Sequence, residues 1–275
     1  MKDFLLNATN LKKLIILIGV LLVYYPLFAQ IAGVSNDKLV VVGAESVVTK
    51  TFEFEPGFGY IWSNKAFNDC GKLVPLNPEG DSTQVLRALG FRFTYGFAKN
   101  FEIGTSITSD LNTFALGIKY TFLNKEKSVM GAFLGTTFAN ESDLVLRNTG
   151  LFGKTASVIG GLAYMVIFSE KLSLDIDLQY QNVFDNNRSY SDDIFSAAEI
   201  GYRFPKKVQL IGGFNFRYNH FKIDRPDSWL LTFNPGITVN PGKSFVMILY
   251  SPFDLIGRNT DKFNGFVFAL TVTLH

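Results

Sequence analysis

The sequence has little that would support disulfide, metal or charge-driven chemistry. Cys70 is the only cysteine in 275 residues, which excludes an intrachain disulfide and a CxxC metal pair. There are two histidines, and charged residues make up 18% of the chain. Beyond residue 30, Lys and Arg balance Asp and Glu at 23 against 23, so no basic field is available to recruit a polyanion. The sequence therefore predicts no metal, no cofactor and no nucleic-acid partner.

Long apolar stretches are also lacking after residue 23, whereas aromatic residues are abundant. Phe, Tyr and Trp make 15% of the chain, and there are 24 glycines. This combination suits twisted β-strands better than helices.

The first thirty residues are typical of an export signal. Lys12 and Lys13 precede an apolar run at 14–23, and Pro26 leads to a short approach ending at Ala29. An uncleaved anchor is the alternative, but the run is shorter than the ~20 residues that span a bilayer. We predict a signal peptide at 1–29.

From about residue 50 onward, apolar or aromatic side chains alternate with small, polar or charged ones. In the clearest case Leu174 and Ile176 alternate with Asp175 and Asp177, which predicts a strand with one apolar and one polar face. About twelve such segments occur, close to the ~10-residue length of tilted transmembrane strands; ten or fourteen strands are the alternatives. The predicted strands are 51–62, 84–97, 101–109, 113–122, 128–139, 155–168, 172–183, 193–204, 208–218, 229–239, 244–253 and 263–274.

The connections between these strands alternate in length. Short turns at 98–100, 123–127, 169–171, 205–207 and 240–243 interleave with longer loops at 63–83, 140–154, 184–192, 219–228 and 254–262, and the link at 110–112 is the exception. This is the layout of an outer-membrane barrel with its long loops outside. The predicted fold class is an all-β, transmembrane antiparallel up-and-down β-barrel at 51–275; a secreted soluble β-protein is the alternative.

The last predicted strand ends the chain, which is similar to the carboxy-terminal insertion signal of outer-membrane barrels. We therefore expect outer-membrane lipids and the barrel-insertion machinery as partners.

Residues 30–50 form a periplasmic or lumenal segment. The run LVVVG at 39–43 is apolar enough to lie inside the barrel, whereas a periplasmic extension or one extra strand is the alternative.

Four stretches within residues 45–122 resemble the family of outer-membrane transporters named for the meta-pathway of phenol degradation. They are TFEFEPGFGY at 51–60, FRFTYGF at 91–97, FEIG at 101–104 and LGIKY at 116–120. The resemblance implies passive movement of small, often aromatic or hydrophobic molecules across the outer membrane.

The alternation places a set of charged side chains on the inward face. A lumen that contacts solute and filters it by charge is one interpretation, and a lattice of ion pairs that fixes strand register is the other. In the second, Glu53 or Glu55 would lie opposite Arg92. The predicted lumen and solute-path residues are Glu53, Glu55, Arg92, Glu102, Lys119, Asp175, Asp177, Glu199, Arg203 and Arg217.

Aromatic residues beside the long loops offer a surface that a hydrophobic solute can bind before it enters the barrel. We predict Phe67, Phe152 and Phe221 as capture residues, and we expect Trp62 and Trp229 to belong to the aromatic girdle at the membrane interface.

Two other function classes compete with a transporter. A barrel lipid hydrolase would need a Ser/His pair, and His220 is the sole plausible base. A structural or partner-binding barrel with a closed lumen is the other alternative. The loops carry no repeat or charge block that would favour adhesion, so we predict a passive channel and not an enzyme.

Overall fold

The structure is a computed structural model that describes residues 33–35, 38–77, 83–139, 155–185, 188–205, 207–222, 226–242 and 244–275. In this part of the chain, no helix is long and apolar enough to cross a membrane. The strands are β1 (Phe52–Phe67), β2 (Leu73–Pro75), β3 (Gln84–Ala98), β4 (Phe101–Thr108), β5 (Thr113–Lys125), β6 (Ser128–Ala139), β7 (Thr155–Ser169), β8 (Leu172–Asp185), β9 (Arg188–Phe204), β10 (Val208–Phe221), β11 (Ser228–Val239), β12 (Phe245–Tyr250), β13 (Phe253–Arg258) and β14 (Thr260–Leu274).

These strands close into an antiparallel barrel with twelve strand positions around its wall. Consecutive long strands pair with each other, and β14 pairs with β1 from Phe52 to Phe67, which closes the sheet. β12 and β13 share one position, because both pair with β11 and with β14 on either side of Pro252, which has no backbone N–H to donate. The short β2 pairs with the end of β1. The predicted fold class is confirmed.

The strands are longer at the outer end than the alternation predicts. The loops expected at 184–192 and 254–262 were wrong: β8 runs to Asp185, β9 begins at Arg188, and Asn259 alone separates β13 from β14. At 184–192 the sequence FDNNRSYSD is almost wholly polar, so the alternation that marks a strand fades. In β13 a register shift opposite Leu231 and Thr232 interrupts the alternation, and the neighbours Leu255 and Ile256 are both exposed. The short turns lie at the opposite end, as predicted.

The apolar face of each strand points outward. On β8, Ile176 and Leu178 are 39% and 55% exposed, whereas Asp175 and Asp177 are each 1% exposed. A soluble barrel would bury the first pair and expose the second. The exposed aliphatic and aromatic surface therefore requires a lipid environment.

Exposed aromatic rings form a belt at each end of this apolar surface. Near the long-loop end, Trp62 packs 5.8 Å from Phe266 and Trp229 packs 6.2 Å from Phe216, between ring centroids. Both indoles lie on strands, as expected for girdle residues. The exposed rings near the short-turn end are Phe97, Phe122, Phe168, Phe204 and Phe245, and those near the long-loop end include Phe114, Phe138, Tyr180 and Phe216.

Candidate functional site: the barrel lumen

The lumen holds residues 33–35 and 38–49, which we call the lumenal segment. Val34 and Val42 pack with Phe133 of β6 and Ile159 of β7 in one buried cluster. Leu39 packs in a second buried cluster with residues of β12 and β14. Because β6 and β7 lie across the twelve-position barrel from β12 and β14, the segment spans the lumen from wall to wall.

Glu102 of β4 binds both ends of the lumenal segment. Its carboxylate accepts hydrogen bonds from the Ser35 backbone N–H at 2.7 Å, the Ser35 hydroxyl at 2.8 Å and the Val47 backbone N–H at 2.7 Å. Lys119 on β5 donates to the Ser35 hydroxyl at 2.5 Å. Glu102 and Lys119 are both fully buried, so these charges depend on each other and on the segment for their partners.

Three further inward carboxylates bind the middle of the segment. Glu199 of β9 accepts from the backbone N–H groups of Leu39 at 2.9 Å and of Val40 at 2.8 Å. Asp177 of β8 accepts from the Val42 N–H at 3.0 Å, and Asp175 pairs with Lys38. Charged acceptors make hydrogen bonds about twice as strong as neutral ones, so this set fixes an otherwise irregular stretch of backbone.

Inward glycines make room for the segment. A β-carbon at Gly104 of β4 would overlap the carbonyl oxygen of Gly33, and one at Gly131 of β6 would lie 2.7 Å from the carbonyl oxygen of Ala44. Any other residue would therefore push the segment away from the wall at these two positions. The barrel interior is shaped to accept this backbone.

Two ion pairs also connect neighbouring strands. Glu55 of β1 lies opposite Arg92 of β3, and the guanidinium Nη2 is 2.7 Å from the carboxylate. Glu102 lies opposite Lys119, with 3.4 Å between the charged atoms. Of the two partners predicted for Arg92, Glu53 and Glu55, the structure has Glu55. The two interpretations of the inward charges are therefore both incomplete, because most of the buried carboxylates bind the lumenal segment.

Three of the sequence-predicted lumen residues lie away from this cluster. Glu53 lies near the short-turn end of β1 and is half-buried, and Arg203 is exposed near the short-turn end of β9. Arg217 is exposed toward the long-loop end of β10, with its guanidinium 5.9 Å from the ring centroid of Phe195. The structure thus joins seven of the ten predicted residues through the lumenal segment or through strand-to-strand pairs: Glu55, Arg92, Glu102, Lys119, Asp175, Asp177 and Glu199.

The predicted capture residues have different outcomes. Phe67 is 3% exposed at the end of β1, where it lies against Gly257, so its ring is not available at the surface, and this prediction was wrong. Phe221 is half-buried at the end of β10. Phe152 lies outside the described residues.

His220 has a carboxylate partner but is separated from the strand serine that is nearest in sequence. His220 Nδ1 lies 2.9 Å from Asp227, which also accepts from the Tyr218 hydroxyl at 2.6 Å. The nearest strand serine in sequence, Ser228, faces the interior, where its hydroxyl accepts from Asn219 at 2.9 Å. His220 belongs to the opposite, outward face of the wall, so the barrel wall separates the two side chains.

The location of the lumenal segment was left open by the sequence analysis. Two signals were available: inward carboxylates outnumber inward cations in the middle of the barrel, and small residues recur on the inward face of the first strands. Both features indicate a donor-rich backbone that lies against the inner wall.

Comparisons with known proteins agree with this geometry at the level of the fold. No protein-family model matches the chain, and no curated protein matches it in sequence. An outer membrane channel from Pseudomonas putida F1 is similar in structure, with a TM-score of 0.67 and 14% identity, over 84% of this chain and 98% of that chain. The fold is that of an outer-membrane β-barrel.

A second similar structure is the NanC porin, with a TM-score of 0.50 and 8% identity, over 80% of this chain and 100% of the porin. Identities this low show the fold alone. The outer-membrane barrel fold supports outer-membrane localisation. The resemblance to the phenol meta-pathway family and the signal peptide at 1–29 stay predictions, and the latter lies outside the described residues.

Proposed function

We propose that this barrel is a passive outer-membrane channel for small solutes, with aromatic or hydrophobic molecules among them, and that the lumenal segment limits their passage. The observation that carries the proposal is a polar, buried inner face occupied by a segment that, up to its bridge from Thr49 to Gly96, is held through side-chain hydrogen bonds. Such a segment can leave the lumen without breaking the hydrogen bonds between the strands of the barrel. Outer-membrane lipids and the barrel-insertion machinery are the expected partners.

Passage in this proposal needs no chemistry by the protein. Solute would enter from the long-loop end, near Arg217, and move along the inner face past the Glu55–Arg92 pair. The position of the segment and the local charge would set selectivity. The proposed path is lined by the ten inward residues predicted from the sequence.

Liposome swelling with the refolded mature chain tests the proposal. Arabinose and phenylalanine are suitable solutes, because lipid bilayers pass both slowly and one of them is aromatic. Swelling above that of protein-free liposomes, for either solute, supports a channel; swelling for phenylalanine alone supports selection for aromatic solutes. No flux of either solute through folded, inserted protein contradicts the proposal.

A structural barrel with a permanently closed lumen is the second candidate. The five hydrogen bonds that Glu102 and Glu199 accept from the lumenal segment favour it, since they oppose movement. The absence of flux would make this candidate the better account.

A further inference from the structure

The charges of the barrel are unevenly distributed along its axis, although the chain as a whole is nearly balanced. The five short turns at 98–100, 123–127, 169–171, 205–207 and 240–243 each contain at least one lysine, and together they hold seven lysines against two acidic residues. The lysines of these turns that the structure describes are all exposed: Lys99, Lys125, Lys127, Lys171 and Lys207. We call the lysines of the five short turns the basic rim.

The geometry of the basic rim is clearest where the turn between β3 and β4 meets β5. The Asn100 carbonyl accepts a hydrogen bond from the Thr121 backbone N–H at 2.9 Å, which continues the pairing of β4 with β5 and places Lys99 beside Phe122. Lys125 follows Phe122 by three residues at the end of β5. Two exposed ammonium groups therefore flank one exposed ring.

An aromatic patch lies next to these two lysines on the lipid-facing side of the wall. The rings of Phe101 and Tyr120 stack with 4.2 Å between their centroids, and Phe97 packs 5.8 Å from Phe101. Phe97, Tyr120 and Phe122 are 45%, 41% and 47% exposed. Aromatic rings at the ends of transmembrane strands lie at the boundary between the hydrocarbon layer and the lipid headgroups.

The distance from these rings to the lysines matches the depth of the headgroup layer. Lys99 lies two residues beyond Phe97, and Lys125 lies three residues beyond Phe122. A strand rises about 3.3 Å per residue, so at a tilt of about 40° these steps cover roughly 5–8 Å along the membrane normal. Each headgroup layer is also about 5–8 Å thick. The ammonium groups therefore lie at the level of the lipid phosphates, and ammonium groups bind phosphate well.

We infer that the basic rim binds the phosphate groups of anionic phospholipids in the leaflet around the short-turn end, with Lys99 and Lys125 forming one such site. A phospholipid fits this site because its acyl chains contact the aromatic patch while its phosphate contacts the lysines. The excess of positive charge favours a lipid with net negative charge over a zwitterionic one. The inference needs no passage of solute through the lumen, so it is independent of the channel proposal.

The experiment measures quenching of tryptophan fluorescence by brominated lipids in phosphatidylcholine proteoliposomes. The reporter variant of the full mature chain carries Trp62→Phe, Trp229→Phe and Phe122→Trp, so its single indole lies between Lys99 and Lys125. We expect brominated phosphatidylglycerol to bind at the reporter about fivefold more tightly than brominated phosphatidylcholine, because one basic residue near an anionic lipid contributes about this factor. Salt at about 1 M should weaken the preference, since it screens exposed charges.

Two pairs of substitutions in the reporter variant test which lysines are responsible. Lys99→Gln together with Lys125→Gln should reduce the preference to less than about twofold. Lys65→Gln together with Lys72→Gln is the matched control, because both lysines are exposed at the long-loop end. This pair removes the same charge and should leave the preference unchanged.

A second reporter uses the native Trp229, isolated by Trp62→Phe alone. Trp229 lies opposite Arg258 and two residues after Asp227, so the charges around it are balanced and we expect no lipid preference there. Equal quenching by the two lipids at position 122 would overturn the inference and would leave a soluble anion as the partner of the basic rim. A preference that survives the glutamine substitutions at the rim, or that is equally strong at Trp229, would also overturn it.

Discussion

Replacing Glu199 by glutamine should loosen the lumenal segment. The carboxylate accepts two backbone hydrogen bonds, from Leu39 and Val40, one on each oxygen. A glutamine keeps one acceptor oxygen and turns an NH₂ group toward the second backbone N–H. Glu199→Gln therefore removes at least one charged hydrogen bond and leaves a buried donor without an acceptor.

Hydrogen bonds to charged groups stabilise by about 1.5–3 kcal/mol each. Losing one shifts the ratio of closed to open channel by roughly 10-fold to 150-fold. The assay is the ionic conductance of single channels in planar bilayers, with the fraction of time spent open as the measured quantity. We expect a clear rise in open time for Glu199→Gln over the native chain.

Asp254→Asn is the matched control. Asp254 is an inward carboxylate, 5% exposed, that accepts hydrogen bonds from the Thr232 hydroxyl at 2.6 Å and the Phe263 backbone N–H at 2.7 Å, both barrel groups. Its open time should match that of the native chain. An unchanged or lower open time for Glu199→Gln, or an equal rise for Asp254→Asn, would refute the assignment of Glu199 to the segment.

Three further outcomes are expected. Gly104→Leu should raise conductance in a folded barrel, because its side chain takes the place of the Gly33 carbonyl; native conductance would show that the close approach is absent. Cys70 is exposed between β1 and β2, so a membrane-impermeant maleimide should label it on intact cells. If the Cys70 thiol does not react there, the long-loop end of the barrel faces the periplasm and the assigned orientation is wrong. The Tyr218 hydroxyl, with help from His220, holds the pKa of Asp227 below its usual range, so Tyr218→Phe should raise that pKa in an NMR titration, and an unchanged pKa would contradict this hydrogen bond.

The strands could be predicted because each inward and outward position meets a different solvent. Ile176 and Asp177 are adjacent in sequence and face lipid and lumen respectively, so alternation marks the strand directly. Strand adjacency predicted that Glu53 or Glu55 would lie opposite Arg92, and the structure has Glu55 there. The outer ends of β8 and β9 could not be predicted in this way, because the sequence there is almost wholly polar.

The excess of inward carboxylates indicates a backbone partner in the lumen, but the segment that supplies the partners of Glu102 and Glu199 could not be predicted, for a different reason. Their partners are backbone N–H groups of the lumenal segment, and every residue other than proline carries such a group. The sequence of the segment therefore has no complementary charge pattern apart from Lys38, which pairs with Asp175. The burial of residues 39–43 was open between lumen and periplasm until the contacts of the segment were known.

The central claim is that the lumenal segment lies inside the closed barrel of the native protein. Val42 is 3% exposed within the segment, and the native Cys70 is exposed on a loop of the same molecule. The measurement is the rate at which a water-soluble maleimide labels each thiol in the Val42→Cys variant, resolved by mass spectrometry of the two peptides. The account predicts that the thiol at position 42 reacts far more slowly than Cys70 in folded protein and equally fast after denaturation. Equal rates in the folded protein would contradict it.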